Sequence, residues 1–323
     1  GIWIDSAGYL REDINANKRL DNYSVDPVIQ FYFDPNVQPP RARYKRLTNT
    51  SANPDEFVAG PVGGDGLPPG TTLELEDLKT LWNARKTLAA LSSSGLDVQR
   101  TYTTAAETGR HILTWVDSNY DGNLSQSEVL PFVWGTGGFG SSNKGFLNSN
   151  DNTEAQNIVN WVRGVEVAGF RNRLLDYSNT GTPQVLRFGD VVNSTPSAAG
   201  SPAEAFNLLY NDDSYTEFSA AYTPRRQMVY VGANDGMLHA FHGGFFDQRQ
   251  LRFARSAGTA PAHQLGAEMW AYVPGNLLPH LRWLTDSNYT HVFYVDGSPY
   301  VFDANVFSSD STASARPIRV RAL

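Results

Sequence analysis

Cysteine is absent from the 323 residues. Its absence excludes disulfide frameworks, thiolate metal sites, c-type haem attachment and cysteine nucleophiles. Charge is also scarce, with 18% of residues charged against about a quarter in an ordinary soluble domain. Basic residues are in deficit, 26 Lys and Arg against 33 Asp and Glu, for a net charge of -7. That balance argues against a protein that works by neutralising nucleic-acid phosphates. No apolar run approaches the roughly 18 residues of a membrane span. The chain opens Gly1-Ile2-Trp3 with neither an initiator Met nor a signal peptide, and reads as a mature form, a processed piece or part of a longer chain. Among catalytic motifs, H-E-x-x-H, the Walker loop, the G-x-S-x-G elbow and the dinucleotide fingerprint are all missing.

What is present suits short strands and many turns. Apolar residues reach 41% and aromatics 12%, beside 28 Gly and 18 Pro, a composition that fills a core without long charged helices. The expected fold class is mainly β with a few helices, in two or three regions. Residues 1–70 read as strand and loop. Asp26 to Pro35 is an aromatic, β-branched strand, Arg41 to Arg46 is a basic cluster on a solvated strand face, and Ala59 to Gly70 is a Gly- and Pro-rich linker. Residues 71–183 are expected to carry a helix from a Thr72 cap through Leu91 to Gly95, strands at Val98 to Thr103 and Arg110 to Val116, and a helix over Thr153 to Val165. Residues 184–323 turn to strands, at Gln184 to Phe188, Gln227 to Val231, Met237 to Phe241, Met269 to Val273, His291 to Val295 and Tyr300 to Phe302.

The sharpest chemical signal directly follows the second strand-like stretch of the middle region. Asp117-Ser118-Asn119-Tyr120-Asp121-Gly122-Asn123-Leu124-Ser125-Gln126-Ser127-Glu128 matches the twelve-residue calcium loop at each diagnostic position. Calcium takes six to eight oxygens. Asp117, Asn119 and Asp121 supply side-chain oxygens, Asn123 a carbonyl, Ser125 a hydroxyl or a bridging water, and Glu128 two oxygens. Gly122 permits the turn, and Leu124 is expected to anchor the loop to a core. The flank reads as a strand and the loop stands alone, so a structural staple is favoured over a sensor. Asp13 to Asp21 repeats the alternation of oxygen donors, but Lys18 stands where the turn glycine belongs. A plain loop is therefore favoured there over a second calcium site. His239 and His242 read as packing or turn residues.

Val229 to Phe241 reads as a strand, an Asp-Gly turn and a returning strand, and Phe293 to Ala304 repeats that scheme about sixty residues later. Hairpins at this spacing point to β-propeller blades. The segments Phe188 to Pro196, Arg225 to Phe241, Gly266 to Pro274 and Tyr289 to Pro299 resemble, in order, those of the PilY/PilC family of type IV pilus assembly and adhesion proteins.

That resemblance implies a calcium-binding β-propeller, here an incomplete ring preceded by an irregular strand and helix region. It implies a place at the cell surface or pilus tip after export through the periplasm. The implied role is in pilus biogenesis and in adhesion to host or abiotic surfaces, with the minor pilins as partners and no catalysis. The Asp-x-Ser-x-Ser pattern of a von Willebrand factor A metal site does not occur. Two alternatives stand beside this reading. Gly232 to Phe241 also resembles the blade repeat of quinoprotein dehydrogenases, and a structural surface protein would use calcium for stability alone.

Overall fold

In the computed structural model, residues 1–48, 58–59, 71–102, 108–176, 181–258, 261–304 and 319–322 are described. The chain divides into two compact units. One is formed by Gly1–Asn83 with Phe246–Ala254, the other by Ala84–Asp176, Gly181–Phe245 and the chain from Arg255 onward. Strands dominate and helices are few among the described residues.

The first unit is an antiparallel sheet. The aromatic, β-branched run folds as β1 (Val28–Asp34) and pairs with β2 (Arg41–Thr48) in a register from Val28 opposite Leu47 to Asp34 opposite Arg41. The two-residue strand Leu10–Arg11 flanks β1, and β3 (Thr72–Glu74) flanks β2. Ile29, Tyr44 and Leu73 share the buried face. The expected helix from Thr72 is therefore a strand at its start. Pairing of Leu73 with Tyr44 overrides the helical spacing of the leucines, and beyond a 3-10 turn at Leu75–Asp77 the chain coils at α1 (Ala84–Ala89). The basic cluster is not one solvated face either. Arg41 and Arg43 pair with Glu74 and Asp34 near the surface, whereas Arg46 is buried against Glu12 at 2.6 Å. Glu12 also accepts from the Tyr44 hydroxyl and the Lys79 N–H. Of the linker, only Ala59 lies within the described residues, in a short strand with Val58.

The second unit is built on one open sheet. Its path runs from β6 (Ser197–Ala199) through β7 (Gln227–Ala233), β8 (Met237–Asp247) and β9 (Glu268–Val273) to β4 (Ile112–Trp115) and β5 (Val129–Pro131). All neighbours are antiparallel except β9 and β4, where Ala271 lies opposite Ile112. The end strands do not pair, so the sheet stays open, as expected for part of a propeller. The β7–β8 hairpin forms with Asp235-Gly236 at its turn, as its sequence predicts. The supposed second hairpin does not. His291 to Val295 is irregular, and β10 (Pro299–Phe302) pairs instead with β11 (Arg319–Ala322). Its polar groups bond elsewhere. The Asn234 amide oxygen takes the Tyr294 N–H, and Asp296 holds Asn193. Val98 to Thr103 is likewise not a strand in its described part; Gln99 makes an isolated bridge to Arg110. The helix α2 (Asn152–Arg163) is capped by Asp151, which accepts the Thr153 N–H at 2.7 Å, and ends at left-handed Gly164. Its buried residues Ala155, Ile158, Val159 and Val162 recur at helical spacing and join Ile112, Phe132, Phe139, Met237 and Val273 in the core.

Candidate calcium site

The twelve-residue loop is the connection of a β-hairpin rather than the centre of a helix–loop–helix. β4 ends at Trp115, opposite Val129 of β5, and the Val116 N–H donates to the Glu128 carbonyl at 3.0 Å. Asp117 follows at once. The loop is thus carried on the edge of the open sheet, and the core under Ile112, Val116 and Phe132 fixes both of its ends.

Within the loop the side-chain oxygens fold inward onto the backbone. Asp117 accepts the N–H groups of Asp121 at 3.1 Å and Gly122 at 2.9 Å, and Asn119 Oδ1 also accepts the Asp121 N–H. Asp121 accepts the Asn123 N–H at 2.7 Å. Tyr120 and Gly122 take positive φ of 59° and 73°; the glycine does so without a Cβ penalty. Glu128 closes the loop. Its carboxylate accepts the Ser118 N–H and both the N–H and hydroxyl of Ser125. Ser125's hydroxyl, then its backbone N–H, hold that carboxyl down to about pKa 2. Six of the predicted residues, Asp117, Asn119, Asp121, Asn123, Ser125 and Glu128, therefore sit on one tightly wound loop. All but half-buried Asp117 and buried Glu128 are exposed to solvent. Among the described residues, no three Asp, Glu or His side chains stand gathered for a metal. Leu124 does not anchor the loop; it is 63% exposed. The hairpin strands at either end do that work, so an apolar residue at the eighth position is not needed.

Sequence reasoning missed the charged centre of this unit. Glu268 on β9 is bound by Arg110 through Nε at 2.7 Å and Nη2 at 2.8 Å, and by His239 Nδ1 at 2.7 Å, while Asp235 holds His239 Nε2 at 3.1 Å. Burial alone would raise the Glu268 pKa, but the guanidinium outweighs it and keeps the carboxyl well below the ordinary range. Burial would lower His239, but Asp235 and Glu268 carry it up to about 9. Arg163 is wrapped by the carbonyls of Leu96, Val98, Arg110 and Phe132, and burial pulls it down to about 9. The only sequence signal was a His on a strand whose neighbours are apolar. With no exposure and both ring nitrogens engaged, His239 presents nothing to a substrate. His242 is likewise buried, its Nε2 against the Arg255 carbonyl.

Residues 188–314 match the family model described as the PilY1 beta-propeller domain. A curated relative from Xylella fastidiosa, a type IV pilus biogenesis factor PilY1 homolog, is 39% identical over 112 residues, covering 34% of this chain and 8% of that protein. The type IV pilus biogenesis factor PilY1 of Pseudomonas aeruginosa is 28% identical over 268 residues, 79% of this chain and 19% of its own length. The chain thus spans less than a fifth of these relatives. No solved structure matches.

Proposed function

We propose, from the premise that this chain is of the PilY1/PilC type, that it contributes to type IV pilus biogenesis as a non-enzymatic, calcium-stabilised part of a surface-exposed pilus protein. The observation that carries the reading is the match of residues 188–314 to the PilY1 beta-propeller domain, together with relatives named as type IV pilus biogenesis factors. Association with minor pilins at the pilus tip, and contact with host or abiotic surfaces, belong to the same proposal. The engagement of His239 and Glu268 in a buried ion network supports a role without turnover. In-frame deletion of the gene, with the wild-type copy restored as control, is expected to abolish surface pili. Unchanged piliation would count decisively against the role.

Calcium enters through Asp117 to Glu128. The cation would take oxygens from Asp117, Asn119, Asp121, Ser125 and Glu128 and the carbonyl of Asn123, and would pin a hairpin connection otherwise held by its own hydrogen bonds. Saturation at about a hundred times the dissociation constant adds about 2.7 kcal/mol to the folded state. Chelation should therefore lower the melting temperature, and Asp121→Ala should reduce that response. A chelator response identical in the wild type and the variant removes the assignment.

A further inference from the structure

Two carboxylate oxygens of the first unit are buried without a hydrogen-bond partner, Oδ1 of Asp13 and Oδ1 of Asp26. The residues are 1% and 0% exposed. An ionised acceptor held out of water without a partner is strongly disfavoured, the more so beside a second negative charge. Both residues belong to one loop, and that loop repeats much of the course of Asp117 to Glu128, except that Asp13 Oδ1 has no counterpart to the Asp121 N–H that Asp117 Oδ1 accepts.

With Asp13 as the first position, Ala16 and Lys18 take φ of 56° and 62°, as Tyr120 and Gly122 do at the fourth and sixth. The Lys18 N–H donates to Asp13 Oδ2 at 3.2 Å, as the Gly122 N–H donates to Asp117 Oδ2. The Arg19 N–H donates to Asn17 Oδ1 at 2.8 Å, as the Asn123 N–H donates to Asp121 Oδ1. At the ninth position the Asp21 N–H donates to Asp26 Oδ2 at 2.8 Å, just as the Ser125 N–H holds the closing Glu128. Asp26 therefore stands where a closing carboxylate belongs. It lies two residues later in sequence and is brought back by the turn in which the Asn22 carbonyl accepts the Asp26 N–H. By sequence spacing alone the pattern ends at Asp21, with no closing ligand.

We propose that the Asp13–Asp26 loop is a second divalent-cation site: its three carboxylates do not stand gathered as they are, and calcium would draw Asp13, Asn15, Asn17, Asp21 and Asp26 and the carbonyl of Arg19 around itself. Six oxygens from carboxylate, amide and backbone groups suit a hard cation. Asn15 and Asn17 now donate their amide NH2 groups to Asp21 Oδ2, while their Oδ1 atoms accept the Asn17 and Arg19 N–H groups and each keep a second lone pair for a cation. Lys18 is the competitor. Its ammonium lies 3.2 Å from Asp13 Oδ2, on a side chain 29% exposed that leads to solvent. The site's purpose is local. The Leu20 N–H donates to the Leu251 carbonyl and the Phe253 N–H to the Lys18 carbonyl, so a cation in the loop would fix it to the 251–253 segment of the same unit.

The test is calorimetric titration of the full chain with calcium chloride in an Asp121→Ala background, which silences the other loop. One residual site is expected. Asp26→Asn or Asp21→Asn should abolish it, and Lys18→Gly should tighten it by about tenfold by lifting a like charge and supplying the turn glycine. A folded Asp121→Ala protein that takes up no calcium at millimolar concentration overturns the proposal. So does a residual site indifferent to Lys18→Gly. In the otherwise wild-type chain, loss of one site on Asp26→Asn alone, with none lost on Asp121→Ala, would retain this site and remove the one at Asp117 to Glu128.

Discussion

Glu268 shows how far one residue can depart from what its neighbours in sequence imply. It sits among Met269, Ala267 and Ala271, all buried, in a strand that reads as plain core. It is tolerated there because Arg110 meets it with two hydrogen bonds and His239 with a third. Breaking such a set is costly because the remaining charge stays buried. The His239 pKa is raised in the folded state, to about 9 from 6.5. A raised pKa means that the folded state binds the proton more tightly. The stabilisation is therefore complete below about pH 6.5 and lost as pH climbs through about 9. Urea denaturation across that window should show stability falling toward the alkaline side, and His239→Gln should flatten the slope. A wild-type profile flat from about pH 6 to 10 would mean that His239 is neutral throughout.

At the level of elements, the strands whose alternation or β-branched content is strong were readable: β1, β4, β7, β8 and β9 lie where sequence places them. So was α2, whose apolar stripe and Asp151 cap are local features. Thr72 to Leu91 misled because its leucines serve a strand, a 3-10 turn and a six-residue helix in succession, and only packing tells them apart. Close approach between elements was equally invisible. A Cβ on Gly232 of β7 would lie 2.3 Å from the Val295 carbonyl oxygen, so Gly232→Ala must push a backbone segment away. A loss of about 1–3 kcal/mol is expected from such overpacking, read as a lower urea midpoint with unchanged slope. An unaltered midpoint would show that the segment at Val295 yields freely.

Over the whole molecule, the two loops proposed for calcium separate what pattern can find from what it cannot. Asp117 to Glu128 obeys a twelve-residue spacing with a glycine at its turn, so the sequence exposes it completely, although not the hairpin that carries it. Asp13 to Asp26 has a lysine at the turn and its last carboxylate out of register, and only folding brings Asp26 under the Asp21 N–H. If both loops take calcium, the double variant Asp121→Ala with Asp26→Asn should melt at one temperature with and without chelator, each single variant keeping part of the response. A chelator effect that survives in the double variant would place the metal elsewhere.

The sequence by itself determined the β-rich class, the motifs across residues 188–299 that resemble those of the PilY/PilC family, and the twelve-residue pattern of Asp117 to Glu128, because each depends on residues close together along the chain. Tertiary structure alone decided the pairing of β4 with β9, the partners of Arg46, Arg110 and Glu268, and the closure of the Asp13 loop. Those contacts join residues that composition and spacing treat as unrelated. Their energies come from burial and charge pairing, which exist only once the chain has folded.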